Sequence, residues 1–487
     1  MQIYQMKKAH FIVWISFTLI LLSCFSFEFI QKARPIGPLK KLSALGPNYL
    51  IDFFMYTKHD SVLNEVKNDS STFYLNQGSS KFELKNYLGA IRDYSKAIDL
   101  NPEDAMSYYH RGIARAHILD LNGALADFNR TVELKPDFTD AYFQKSNLEV
   151  KLKKYKQALK DYNKALEFKP NSIELINNRA NTRYLLKDYE GAINDYTSVI
   201  EMDHSNANAF NNRAINKSKI GHFEDALADF NRAIELDPNY ADAYLNRGII
   251  KGKLLDLNGE LQDDNMLISL KPNDSYAYNC RGIVKSIMGN YKEAMEDYNS
   301  AIELNPMNAD AFFNRAFICQ EQKKYEAALE DYSTAIKLNP DAETFNKRAQ
   351  IRCKLNDYIG AIVDYDKAID IQPDYALAYF NRGFIKSILK DFPNAIEDYT
   401  LCIKLKPDYA DAYYNLALIK DELGDYKGEI EDYNYAIEFK PNYDKAYNNR
   451  GLAKYKLRDK KGGCQDLTIA FKLGYSDAYE NLKKYCR

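Results

Sequence analysis

The sequence is poor in what most catalytic and nucleic-acid-binding proteins use. It has one tryptophan and six histidines, and no glycine-rich phosphate loop of the Walker type. No long block carries charge of one sign: Lys and Arg number 66, Asp and Glu 68, for a net charge of −2. Even the densest basic stretch, "KLKKYKQALKDYNKALEFK" at 151–169, contains Asp and Glu. That excludes the concentrated basic face which nucleic-acid binding needs. His110 and His117 are seven residues apart, but no cysteine or carboxylate stands at metal-ligand spacing beside them, so they read as surface or groove histidines. Cys280, Cys319, Cys353 and Cys402 are scattered singly and read as small buried apolar residues. No metal, cofactor or small-molecule substrate is expected. Disorder is excluded as well: 39 tyrosines and 25 phenylalanines supply apolar surface, while glycine (21) and proline (14) are modest.

Long apolar runs are also missing, with one exception. Residues 11–27, "FIVWISFTLILLSCFSF", carry no charge until Glu28 and follow Lys7 and Lys8. The run is short for a membrane span but within range, and lysines before an apolar run also describe a cleaved secretory signal. "LLSC" at 21–24 resembles a bacterial lipobox, in which Cys24 is lipidated, although Leu22 is bulky for its place. A buried core helix is the remaining reading. Residues 1–30 are therefore expected to be a hydrophobic helix serving as signal peptide or membrane anchor. Lys32, Arg34, Lys40 and Lys41 follow the run, so the positive-inside count is equivocal.

Beyond a linker at 31–70, expected to be partly helical, the chain repeats itself. Prolines fall at 102, 136, 170, 238, 272, 306, 340, 373, 407 and 441. The period is 34, with His204 in place of one proline and one residue deleted between Pro340 and Pro373. Twelve units result, starting at 71, 105, 139, 173, 207, 241, 275, 309, 342, 376, 410 and 444 and ending at 477. Such a period signals stacked helical hairpins. In "ADAYLNRGIIKGKLLDLN" (241–258) apolar residues recur at helical spacing, then the run breaks; "YEAALEDYSTAIKLNP" (325–340) repeats the pattern and ends on Pro340. Position 8 of the unit is Gly, Ala or Ser in all twelve, and position 20 is Ala in nine. Position 4 is aromatic in eleven and position 24 in ten. Large side chains set against small ones would fill the space between two closely approaching helices.

Position 23 is Asp in every unit, from Asp93 to Asp466, and position 7 is Arg in nine. Counted from a turn near position 15, the two lie at similar height on facing helices. Their recurrence in so many units suits an architectural ion pair better than the recognition of one ligand.

This pattern resembles the tetratricopeptide repeat (TPR) family, with small residues at 8 and 20, aromatics at 4 and 24, Ala at 27 and Pro at 32. The resemblance covers residues 71–477 as twelve tandem repeats. It implies an all-α fold, a right-handed α-solenoid of antiparallel helix pairs, and a groove that holds proteins or peptides. In the family the groove is lined mainly by positions 2, 5, 9, 12 and 13. One subgroup grips a C-terminal carboxylate with Lys at 5 and Asn at 9; here position 5 is never Lys and position 2 is often acidic, which disfavours that clamp. Positions 5 and 9 instead turn apolar toward the C-terminal half, as Phe313 with Phe317, Phe380 with Phe384 and Tyr414 with Leu418. Each pair shares a helix face. They form either an apolar peptide-binding patch or packing against the next helix.

Residues 478–487 are expected to form a helix that caps the last unit. This tail resembles the endings of repeat proteins in the family that close with a paired cysteine, here Cys464 and Cys486. By residue count the two are level on antiparallel helices, so a disulfide is feasible if the side chains face one another; two unpaired thiols are the alternative. A bridge would imply an oxidising compartment, hence repeats on the extracytoplasmic side of a membrane. The unit at 241–274 breaks the pattern, with Glu260 at position 20 and Asp264 at position 24, and is expected to be the weakest joint. No segment outside the repeats is long enough for a catalytic domain. The expected role is a membrane-attached, non-enzymatic scaffold for proteins or peptides; the alternative is an envelope chaperone or assembly factor that holds clients transiently.

Overall fold

The computed structural model describes residues 59–486. The apolar segment 11–27, Cys24 and the linker up to residue 58 lie outside the described residues. Among the described residues there are 25 helices and no strand, and no helix is long and apolar enough to cross a membrane. The chain divides into two compact units, the first ending at Leu152 and the second beginning at Lys153. The first unit holds the hairpins His59–Glu83 with Tyr87–Leu100 and Ala105–His117 with Leu121–Leu134, followed by the single helix Thr139–Lys151. The second opens with Tyr155–Phe168, continues through nine hairpins, and closes with Ser476–Tyr485. The first helices of repeats two to twelve open at Ala105, Thr139, Ile173, Ala207, Ala241, Ser275, Ala309, Ala342, Ala376, Ala410 and Asp444, the residues at which the repeat period opens.

The turn within each hairpin is built alike. The residue at position 15 has a left-handed φ in all twelve, three times as glycine (Gly221, Gly289, Gly424) and otherwise as residues such as Lys187 or Leu255. For a residue with a Cβ this costs about 1 kcal/mol, which the hairpin packing offsets. In several repeats an Asp then caps the second helix: Asp188 accepts from the Gly191 amide, and Asp357 from the Gly360 amide. Glycine stands there because the carboxylate occupies the space a Cβ would take.

Within a hairpin the two helices meet at position 8, against the ring at position 24. A Cβ added at Gly78, Gly112 or Gly282 would come within 2.6–2.8 Å of Tyr94, Phe128 or Tyr298. These three rings are at least 98 % buried; removing such a ring from water stabilises a hairpin by roughly 2–3 kcal/mol. The ring at position 4 does something else. It lies beneath the guanidinium of the Arg three residues later, as Tyr244 beneath Arg247 (5.4 Å) and Tyr379 beneath Arg382 (5.5 Å).

That guanidinium ties the repeats together. All twelve position-23 aspartates are buried. In nine repeats Arg at position 7 grips the Asp with two parallel bonds, Nη2 lying 2.5–2.7 Å from Oδ1. Its remaining nitrogen, Nη1, donates to a polar side chain on the preceding repeat's second helix: Arg247 to Asn231, Arg281 to Asn265, Arg348 to Ser333, Arg382 to Asp366. The Arg–Asp pair is thus architecture, and it reaches between repeats as well as across the hairpin.

Candidate peptide-binding face

The first helices of the second unit present a face made of positions 5, 6, 9 and 13. Side-chain amides hold consecutive first helices in register along it: Asn246 donates to Asn211, Asn314 to Asn279 and Asn381 to Asn346, at 3.0–3.2 Å.

The six apolar residues singled out from the sequence divide into two sets. Phe313, Phe380 and Tyr414, at position 5, are half-buried. Each packs against the position-24 ring of its own repeat, with centroids 5.5–5.8 Å apart: Phe313 on Tyr332, Phe380 on Tyr399 and Tyr414 on Tyr433. Phe380 and Tyr414 also touch the tyrosine that precedes the next repeat, Tyr409 and Tyr443. These side chains belong to the hairpin packing and show only an edge to the surface. Position 9 behaves differently. Phe384 is 46 % and Leu418 37 % exposed, whereas Phe317 is half-buried with the Lys347 ammonium 5.6 Å from its ring centre.

The exposed apolar line also includes Ile249 and Ile283 at position 9 and Ile287 and Ile388 at position 13, with Ile287 64 % exposed. Reading position 13 as closely as positions 5 and 9 would have found the last two. A pocket of about 490 Å³ opens on this face among repeats eight to ten, with Ile351, Ile385 and Phe384 as apolar walls, Gln320, Gln350 and Asn381 as amide walls, and Glu321, Lys323 and Lys354 adding charge of both signs. Tyr332 donates to the side-chain carbonyl oxygen of Gln320, one of these walls. Such a pocket suits an apolar side chain whose neighbouring polar groups meet amides and charged side chains.

At the C-terminus, Ser476–Tyr485 starts two residues earlier than the repeat period places it. The segment Ser476–Asn481, "SDAYEN", stands where "ADAYYN" (410–415) stands in repeat eleven, and Asn481 donates to Asn448 at 2.9 Å. The closing helix is therefore the first half of a thirteenth repeat. Counted this way, Lys483 falls on position 8, where every repeat has a small residue. The structure joins Cys464 to Cys486 in a disulfide with Cα atoms 5.7 Å apart, which ties this helix to the last hairpin. Cys319 and Cys402 are buried, Cys280 and Cys353 half-buried, and all four are unpaired; burial pushes the Cys402 thiol up to about 12. His117 stacks on Tyr87 at 4.7 Å, and burial lowers the pKa of His110 and His117. Among the described residues no group of three or more His, Cys, Asp or Glu is placed to hold a metal ion.

Family models agree with this arrangement. Models described as tetratricopeptide repeat match residues 309–341 and residues 139–172, 376–409 and 410–443; a further model, described as TPR repeat, matches 78–116, 219–254, 287–323 and 349–386. Together they cover more than half of the chain. It belongs to the tetratricopeptide repeat family. No curated protein matches this TPR chain significantly. Among solved structures it is similar to the APC/C hetero-tetramer Cut9-Hcn1, with 14 % identity and TM-score 0.41 over 86 % of this chain and 96 % of that one. It is also similar to yeast Tom70, with 20 % identity and TM-score 0.38 over 80 % and 97 %, and to a tetratricopeptide repeat protein from Parabacteroides merdae, with 22 % identity and TM-score 0.41 over 52 % and 97 %. These likenesses are of fold alone.

Proposed function

We propose that this TPR protein is a non-catalytic scaffold that binds proteins or peptides along the first-helix face of repeats six to eleven, and that its N-terminal segment attaches it to a membrane with the repeats on the extracytoplasmic side. The observation that carries the binding role is the exposed apolar line of Ile249, Ile283, Ile287, Phe384, Ile388 and Leu418 beside the amide-walled pocket. Exposed apolar side chains recurring on one face of a folded array are a docking feature, because they cost stability in water unless a partner covers them. Support for the compartment comes from the Cys464–Cys486 bridge, which persists only under oxidising conditions, and for attachment from the uncharged run at 11–27. The evenly mixed charge suits neither nucleic acid nor an anionic substrate.

The test is the double substitution Phe317→Ala with Phe384→Ala. Loss of two aromatic anchors should weaken capture of a stoichiometric partner from native membranes by about tenfold or more, with the helical content and melting of the array unchanged. Melting of the array would show these residues to be core; undiminished capture would show the partner to sit elsewhere. Suppressed aggregation of many unrelated clients, without a stoichiometric partner, would favour transient client holding over a fixed scaffold.

A further inference from the structure

Repeat six, residues 241–274, departs from its neighbours at the two positions that close a hairpin. Its second helix, Leu257–Leu270, carries Asp264 where the ring belongs and Glu260 where alanine belongs. Opposite them, a Cβ at Gly248 would find nothing nearer than 3.4 Å, because no ring fills the gap. Asp264 is 97 % buried, and its Oδ2 has no hydrogen-bond partner.

The cations around Asp264 are already engaged. From the first helix of the repeat, Arg247 and Lys251 both bind Asp263, at 2.6 and 2.9 Å. From the next helix, Ser275–Ile287, Arg281 is held by Asp297 of the helix beyond and by Asn265. That same helix also brings Tyr276 and Cys280 toward Asp264, and both are pushed up to about 12, chiefly by burial. On its own helix Asp264 has Glu260 and Asp263 as neighbours. Burial first, then these two carboxylates, push Asp264 up to about 7, and burial raises Glu260 as well.

We propose that repeat six is a protonation-controlled joint: with Asp264 protonated its second helix stays packed, and with Asp264 ionised this helix opens while the repeats on either side remain folded. Stacked repeats share stability only with their neighbours, so a local defect opens locally. The direction follows from linkage. Asp264 binds its proton more tightly in the packed state than in the open one, where its value is about 4. The contribution of Asp264 to packing is therefore greatest below about pH 4, weakens as pH rises toward about 7, and changes little above that. Repeat eleven shares the buried carboxylate but keeps the ring: Glu429 at position 20 has an unpartnered Oε2 and is pushed up to about 8, chiefly by burial, while Tyr433 fills the ring position and Lys456, paired with Asp421, lies nearby.

Hydrogen exchange of the full chain between pH 5 and 8, corrected for the intrinsic pH dependence of amide exchange, tests this. Protection in 257–270 should fall by about tenfold per pH unit between 5 and 7 and then level off, while that in 291–304 stays constant. Asp264→Asn should remove most of this slope. Glu260→Ala with Asp264→Tyr, which restores the repeat pattern, should bring 257–270 to the protection of 291–304 at every pH. Equal protection of 257–270 at pH 5 and pH 8 in the wild type overturns the proposal. So does a slope that survives undiminished in Asp264→Asn or in the repaired repeat.

Discussion

Repeats six and seven stand side by side in one unit, have the same length and share the Arg–Asp clamp, yet they close their hairpins by different means. In repeat seven Tyr298 is 98 % buried against Gly282, with Ala294 allowing the approach. In repeat six the corresponding triplet is Asp264, Gly248 and Glu260, so a buried carboxylate with one oxygen unpartnered takes the place of a ring. The clamps themselves match closely: Arg247 on Asp263 and Arg281 on Asp297 both sit at 2.6 Å, each with a second cation from Lys251 or Lys285. The ion pair therefore fixes how a hairpin is registered, and the ring in its gap fixes how firmly it is shut. A repeat can keep the first and lose the second, which is why the fold continues through repeat six without interruption.

The comparison can be broken most severely by moving the defect. Tyr298→Asp in repeat seven removes a buried ring and introduces an unpaired carboxylate. Opening of 291–304, read by hydrogen exchange at pH 8, should become easier by about 3–5 kcal/mol. Protection unchanged by this substitution would mean that the position-24 ring does not hold the hairpin closed.

A gentler break keeps the ring and fills its gap. Gly282→Ala places a Cβ 2.6 Å from Tyr298, so the ring must move. It has somewhere to go, because repeats four, eight, nine and eleven seat Ala180, Ala316, Ala349 and Ala417 in hairpins that also bury a tyrosine. The cost should therefore be modest, about 1–2 kcal/mol in a denaturant or exchange measurement.

The framework that makes these substitutions comparable is written in the sequence, since a 34-residue period with a small residue at 8 and an aromatic at 24 defines the hairpin and its closing contact. The level heights of positions 7 and 23 likewise point to Arg meeting Asp. Other features depend on how successive hairpins sit together. The donation from Arg247 to Asn231 of the preceding repeat crosses such a boundary, and so does the donation from Asn381 to Asn346. Phe313 and Phe380 turn into packing within their own hairpins, on Tyr332 and Tyr399, while Phe384, one helical turn beyond Phe380, stays exposed. Position 4 was legible as aromatic but not as the platform for a guanidinium, because burial alone would have served equally well to explain a ring there. The closing helix was hidden in part by its shortened connection: two missing residues shift "SDAYEN" out of the period, although its composition is that of a first helix.

The smallest effect sharpens the comparison from the side of repeat six. At Gly248 a Cβ would meet Asp263 Cβ at 3.4 Å and Asp264 Oδ1 at 3.8 Å, both ordinary van der Waals distances. The residue lies inside the helix Ala241–Lys253, where glycine costs about 0.5–1 kcal/mol relative to alanine through the backbone freedom it gives the unfolded chain. Gly248→Ala should therefore stabilise repeat six by up to about 1 kcal/mol, opposite in sign to Gly282→Ala one repeat along. The same chemical change at the same repeat position then has two signs, set by whether a ring stands across the gap. Measured slowing of exchange in 257–270 by a few-fold is the expected result. A loss of protection there comparable to that caused by Gly282→Ala in 291–304 would mean that the space opposite Gly248 is already filled, and that the absent ring does not distinguish the two repeats.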